Sequence, residues 1–494
     1  MAFDPHVSSP EGITAERPPL VVSNREPYVH EWTGDGISCI RPTGGLTAAL
    51  DGAMGRLSGT WIAWGSGDAD FAVADERGRI EVPPDVGDYV LNRVALSPEQ
   101  VHGYYDGYAN QVLWPVCHGE VARVQSEESY WSVYRDVNRA FADAIIDELR
   151  SNSPSMIWIH DYHLALVPRF VRDEIDLDAP LDGYWHVPVP TPEEISHCQN
   201  AREILDGLFA VDSLGVQTAR DRDNLLRCAE TVLDGAVVDP ESALVEYDGT
   251  TTAIAVNPVG IDPDEVDRQV GNRTAGNQAE TLLERHSVDA DATILLGVDR
   301  LDYTKGILER LDAFERLLER HPGLHGEVVL FQKSSPTRGR VPAYKRYRER
   351  VEERIRGIRA SYETDSWSPI VHVTESLDRP TLYGLYRRAD VCVVSSRRDG
   401  MNLVAKEFVA ASRGGDGVLV CSEFAGAAEE LGADAITIDP FDGDSFAESL
   451  YRAMTLHPRE RGRRLDRLND VVRDHTVDSW IERSFESAQR ATQR

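Results

Sequence analysis

The sequence predicts an α/β protein made of two doubly wound, Rossmann-like domains facing a cleft. Three observations predict it: short apolar runs bounded by turn residues recur along the chain, amphipathic helical patterns lie between them, and the series stops and restarts once near the middle. Strands that alternate with helices are covered on both faces of a parallel sheet, so they read as continuous apolar runs. The length, 494 residues, allows two to three domains, each large enough to bury a core.

Composition narrows the function. A formal net charge of -31 repels nucleic acid and anionic membranes, so neither is an expected partner. Arginine supplies nearly all the positive charge, because lysine occurs only at Lys305, Lys333, Lys345 and Lys406. The acidic excess is spread along the chain, a composition suited to a halophilic, high-salt cytosol where screening removes most self-repulsion. The cysteines (Cys39, Cys117, Cys198, Cys228, Cys392 and Cys421) form no Cys-x-x-Cys pair and are expected as buried reduced thiols. Residues 1–18 read as a flexible N-terminus without the basic and apolar regions of a signal peptide. No apolar run approaches the ~20 residues of a membrane span, and the expected location is cytoplasmic.

The first strand, around Leu20-Val21-Val22, ends at Ser23-Asn24-Arg25-Glu26-Pro27. Arg41-Pro42-Thr43-Gly44-Gly45-Leu46 then opens a helix, and its Gly-Gly either lets backbone approach a phosphate or sugar or makes a plain turn. Tyr104 to Asn110 and Val112-Leu113-Trp114-Pro115 form an aromatic cluster suited to sugar rings or to core packing. Trp131 to Leu149 is helical, with Val133, Val137, Phe141 and Ile145 on one face. The strand Met156 to Ile159 ends at His160-Asp161-Tyr162-His163. Two histidines three apart with no third ligand nearby favour a substrate-facing Asp161 over a metal site. The proline-stiffened end at Gly183 to Pro192 presents His186, to a sugar hydroxyl or to the core. Leu214-Gly215-Val216 and Ile254-Ala255-Val256 complete the first half, expected over 19–258.

After Asn257 to Pro263 the series restarts, with a second domain expected over 259–475. The polar stretch Asp264 to Asp291 reads as a linker helix and loop. Strands follow at Ile294 to Val298, Val328 to Phe331, Ile370 to Val373, Val391 to Val394, Val418 to Val420 and Ile436 to Ile438. Beyond the first of these, Arg300 and Lys305 straddle a strand-to-helix turn. They can converge on a leaving diphosphate, or be a surface pair and a helix-entry lysine. Beyond the second, Arg338 can meet an anionic acceptor. Tyr344 to Arg359 reads as a solvated amphipathic helix, since Tyr347, Val351, Ile355 and Ile358 keep helical spacing. Beyond the fourth comes Arg397 to Glu407: Asp399 in a turn, the N–H groups of Asn402 and Leu403 at a helix start that suits phosphate, and Glu407 about two turns in. A terminal helix, 476–494, with Trp480, Ile481 and Phe485 as its apolar side, is expected to pack back across the domains.

Taken together these motifs resemble the trehalose-phosphate synthase family of retaining glycosyltransferases. Val21 to Arg25, Gly44-Gly45-Leu46, Asn110 to Pro115, Trp158 to His163, His186 to Glu193, Asp299 to Gly306, Arg338-Gly339 and Asp399 to Glu407 carry the resemblance, which Phe424 to Ala428 extends. The resemblance implies a GT-B fold and transfer of glucose, with retention, from a nucleotide-glucose to glucose 6-phosphate, without a metal or other cofactor. It implies that Arg25, Tyr105, Trp114, Asp161 and Arg338 hold the acceptor. The donor would fall to Gly44, Gly45, His186, Arg300, Lys305, Asp399, Asn402, Leu403 and Glu407. Of these, Asp161, His186, Arg300, Lys305 and Asp399 would surround the reacting centre. Retention in the family is attributed to front-face attack, which needs no glycosidase-like carboxylate pair. Arg340 and Lys333-Ser334-Ser335 depart from the family pattern beside the acceptor site. A glycerol 3-phosphate acceptor, as in the related glucosylglycerol-phosphate synthases, and a silent sugar-phosphate sensor are the alternatives. The donor base, allosteric effectors and assembly into a homo-oligomer stay open.

Overall fold

Each apolar run extends because it is buried on both sides: Leu20, Val21 and Val22, and likewise Val391 to Val394, are almost wholly inaccessible. The computed structural model describes residues 17–41, 45–84, 86–271 and 273–493. Most of the expected N-terminal segment 1–18, and Gly44, therefore lie outside the described residues.

Among these residues the first sheet runs, edge to edge, Val237–Asp239, Leu244–Tyr247, Thr250–Val256, Ser213–Val216, Leu181–Trp185, Ile157–His160, Leu20–Arg25, Thr60–Trp64, Tyr89–Val94, Arg79–Val82. From Thr250–Val256 to Tyr89–Val94 every pairing is parallel, and the outer strands are antiparallel. Sequence order reverses between Leu20–Arg25 and Ile157–His160. The second sheet is parallel throughout, in the order Ile370–Val373, Val328–Ser335, Thr293–Arg300, Val391–Val394, Val418–Ser422, Ile436–Ile438. Counted within this half, that is 3-2-1-4-5-6, the Rossmann order, which switches between its first and fourth strands.

The chain forms two compact units, one taking in the chain up to Pro258 and again from Trp480, the other Val259–Ser479. In the first unit Trp480 is fully buried 4.9 Å from Trp158, and Asn257 Nδ2 donates to the Trp480 carbonyl at 2.9 Å. In the second, the segments by which the chain enters and leaves lie side by side. Ile261 pairs with Thr476, Val477 N–H donates to the Ile261 carbonyl at 2.8 Å, and Lys406 Nζ donates to the Val259 carbonyl at 2.8 Å.

Two stretches differ from their sequence reading. Asp264 to Asp291 is not a linker: helices Pro263–Val270 and Arg273–Arg285 pack on the helix Arg379–Arg388, with Ala275, Ala279, Leu282 and Leu283 buried. That stripe has helical spacing, but half of it is alanine, so the polar residues around it dominate the composition. The aromatic cluster winds as a π-helix, Val101–Leu113, that buries Tyr104 and Tyr108 and leaves Tyr105 partly exposed. Cysteines other than Cys39 are buried, and none of the six is bonded to another.

Candidate functional site

In an open parallel sheet a ligand sits beyond the carboxyl ends of the strands at the switch point. Both units place the candidate residues there.

In the first unit, Arg25 stands at the end of Leu20–Arg25. Its guanidinium donates to the Tyr105 hydroxyl at 2.6 Å and lies over the rings of Tyr105 and Trp64, at 4.8 and 5.8 Å. Tyr105 stacks on His163 at 5.8 Å, and His163 Nδ1 is 3.8 Å from Asp161 Oδ2. Asp161 in turn accepts the His186 N–H at 3.2 Å. Arg25, Tyr105, Asp161 and His186 are thus one continuous cluster across the switch. Trp114 is buried, stacked on His118 at 4.0 Å and 6.0 Å from the Tyr162 ring that lies against His163.

Burial holds His186 down to about pKa 3, and holds the fully buried His160 well below its ordinary value. Both rings are therefore neutral near pH 7. Gln217 Nε2 lies 3.5 Å from His186 Nδ1, and His186 Nε2 lies 3.0 Å from His160 Nδ1, so that one ring donates to the other. A sugar hydroxyl that reaches His186 must replace the long Gln217 contact.

In the second unit, Lys305 follows the first strand and Asp399 the fourth. They are 94 residues apart in sequence, and the switch brings Lys305 Nζ to 2.6 Å from Asp399 Oδ2, both largely shielded. The same oxygen accepts from Ser396 Oγ and Asn402 Nδ2, each at 3.2 Å. Gly306, at φ 64°, makes the turn possible, since a Cβ there would lie 1.8 Å from the Ser395 carbonyl oxygen. Asn402 caps the helix Leu403–Ala411 by accepting the Ala405 N–H at 3.2 Å, while the N–H groups of Leu403 and Val404 precede the first intrahelical bonds. Arg300 ends its strand exposed to solvent. Glu407 lies one turn into the helix, not two. It accepts the Tyr386 hydroxyl at 3.1 Å, and burial pushes its carboxyl up to about 7 against that hydrogen bond and the Arg379 charge. Arg338 is turned inward: it donates to Asp302 Oδ2 at 3.0 Å and to the Tyr344 hydroxyl.

Asp161, Arg338 and Asn402 have φ of 75°, 46° and 94°, three of the seven non-glycine residues in the left-handed region among those described. Such strain, ~1–3 kcal/mol each, gathers where a site needs an unusual direction from the chain. The sequence reading missed Trp64, Gln217, Asp302 and Ser396. Trp64 closes the strand next to Leu20–Arg25 and Gln217 follows the strand next to Leu181–Trp185, so strand order would have found them. Among the described residues no three His, Cys, Asp or Glu side chains gather as a metal site, and no helix is long and apolar enough to cross a membrane.

Residues 17–490 match the family model for glycosyltransferase family 20. The chain is 33% identical over 473 residues to the bifunctional trehalose-6-phosphate synthase/phosphatase of Thermoproteus tenax, covering 93% of this chain and spanning 62% of that longer protein. It is 31% identical to the UDP-forming alpha,alpha-trehalose-phosphate synthase of Pichia angusta, over 94% of this chain and 97% of the relative. Among solved structures, the UDP-forming alpha,alpha-trehalose-phosphate synthase of Burkholderia xenovorans in complex with glucose-6-phosphate is 29% identical. It superposes with a TM-score of 0.85, covering 96% of this chain and 100% of that one.

Proposed function

We infer that this chain, which belongs to glycosyltransferase family 20, moves glucose from UDP-glucose to the anomeric hydroxyl of glucose 6-phosphate, with retention, forming α,α-trehalose 6-phosphate. The observation that carries the reading is the meeting of Lys305 and Asp399 at the Rossmann switch point, beside the helix N-terminus at Leu403. A cation, a carboxylate and a helix N-terminus in that arrangement suit a diphosphate and the sugar attached to it. The relative named as UDP-forming and the neighbour solved with glucose 6-phosphate support the choice of substrates.

In this reading Glu407 accepts the ribose hydroxyls, and Leu403 N–H, Arg300 and Lys305 hold the diphosphate. Asp399 and the neutral His186 orient the transferred glucose. Arg25, Tyr105 and Asp161 take the acceptor, with Arg338 on its phosphate. The acceptor oxygen bonds to the glucose anomeric carbon on the face from which the β-phosphate oxygen leaves. Its proton passes to that departing oxygen, and the two cations neutralise the charge as it develops. Both substrates are charged phosphates of the cell interior, which fits a cytoplasmic enzyme.

The test is a matrix of UDP-, GDP- and ADP-glucose against glucose 6-phosphate and glycerol 3-phosphate, in dilute buffer and in molar salt, with products identified by mass. Trehalose 6-phosphate is the expected product, formed fastest with UDP-glucose. Product only with glycerol 3-phosphate would trace the Lys333 and Arg340 departures to a changed acceptor, and no product with any pair would end the reading.

A further inference from the structure

Asp302, the partner of Arg338, also touches the turn that carries Lys305. It is wholly buried. Its Oδ1 accepts the Thr304 N–H and the Thr304 hydroxyl, each at 3.1 Å, capping the short turn Tyr303–Lys305 from which the lysine projects. The Lys305 N–H closes that turn on the Asp302 carbonyl at 3.0 Å. The Thr304 carbonyl accepts from Arg397 N–H at 2.8 Å, which ties the turn to the segment carrying Asp399. Its Oδ2 faces the other way, accepting from Arg338 Nη1 at 3.0 Å and from the Tyr344 hydroxyl at 3.5 Å. The Arg338 side chain is only 3% exposed, and its guanidinium also lies over the Tyr344 ring at 5.2 Å.

We propose that Asp302 is a positioning residue whose two oxygens serve the two substrates separately: Oδ1 sets the turn that aims Lys305 at the donor, and Oδ2 holds Arg338 for the acceptor phosphate. The inference rests on the functional reading above. A buried arginine with a fixed carboxylate partner loses less freedom when an anion arrives, because its guanidinium is already ordered. A buried carboxylate is also costly unless every lone pair is used, and Asp302 divides its lone pairs between the two tasks.

Asn at this position separates the two tasks. Its amide oxygen still accepts from Thr304, while its NH2 group cannot accept from Arg338. Asp302→Asn is therefore expected to raise the acceptor KM about tenfold to a hundredfold, the range for one hydrogen bond to a charged group. The donor KM and the kcat at saturating acceptor should stay within about threefold of wild type. Thr304→Val removes only the hydroxyl on the Oδ1 side, and should lower kcat with the acceptor KM unchanged. Tyr344→Phe leaves Arg338 one partner short and should raise the acceptor KM alone. Each variant is first checked by thermal melting, and binding of UDP and of glucose 6-phosphate is measured by calorimetry alongside the kinetics. Wild type without activity would defeat the functional reading; active wild type with equal effects of Asp302→Asn on both substrates, or none on the acceptor, would overturn the division of labour. If Asp302→Asn does not fold, Thr304→Val and Tyr344→Phe decide: opposite KM and kcat patterns support the proposal, and matching patterns refute it.

Discussion

Replacing Lys305 by alanine removes the cation at the second unit's switch point while leaving the backbone turn in place. The structure supplies a guide to the size of the effect, because the Asp399 carboxylate already stands 2.6 Å from the ammonium, as a diphosphate oxygen would. At that separation the Coulomb attraction of two unit charges is about 6 kcal/mol for an effective dielectric constant of about 20. Much of this is offset by the lysine's own desolvation. Removing one preorganised donor to a developing oxyanion typically costs about 2.7–4 kcal/mol, a factor of about 10²–10³ in kcat. Lys305→Ala is therefore expected to lose about 10²–10³ in kcat, measured as UDP release at saturating donor and acceptor. Its acceptor KM should change less than about threefold. Asp399 keeps its Ser396 and Asn402 donors, so the fold should survive. A folded variant with a kcat within tenfold of wild type would refute the role, as would a loss confined to acceptor affinity.

Three further outcomes are expected. Gly306→Ala meets both a left-handed backbone and the Ser395 carbonyl at 1.8 Å, and should destabilise the protein by more than about 2 kcal/mol in urea unfolding; a loss under 1 would show that the turn relaxes freely. Glu407, raised to about 7 from an ordinary 4.5, keeps a proton when folded that the unfolded chain has lost, so ligand-free stability should fall as pH rises from about 4.5 through 7. Glu407→Gln should flatten that fall, while wild-type donor KM should drop over the same range as the carboxylate becomes able to accept ribose hydroxyls; a slope unchanged in the variant would show that another group titrates. Trp480→Ala opens a cavity beside Trp158, Tyr184 and His186 and should cost about 3–5 kcal/mol. A melt indistinguishable from wild type would deny the terminal helix its structural part.

The repeated apolar runs made both sheets legible, because a strand covered on two faces has little choice of residue. Site residues at strand ends were legible for the same reason: Arg25, Asp161, His186, Arg300 and Asp399 each close or follow such a run. Contacts formed through strand order were not. Nothing local to Lys305 announces Asp399, and only the 3-2-1-4-5-6 order makes them neighbours. Arg338 could be read as a free cation because Asp302 lies 36 residues away on another strand end. The depth of Glu407 was misjudged because the helix begins at Leu403 rather than at Asp399, the intervening turn being held by the Asp399–Ala425 bridge. The packed face of the helix Arg273–Arg285, expected only as part of a linker helix and loop, was hidden by its own alanines, which pack closely but contribute little to an apolar profile.

The pairing of Ile261 with Thr476 brings the two ends of the second unit together. Val259–Ser479 is one continuous stretch of chain whose ends lie side by side, and its boundary falls inside the helix Val477–Thr492, so a cut after Ser479 severs that helix in its first turn. A close seam of this kind tolerates no bulk: a side chain at Gly260 would strike the His475 carbonyl oxygen at 2.2 Å. The first unit is discontinuous in sequence. A fragment stopped at Pro258 lacks Trp480, and with it the indole that covers Trp158 and lies 6.0 Å from His186. Dissection of this chain is therefore asymmetric: one pair of cuts bounds the second unit, and the first is whole only when its two pieces are rejoined.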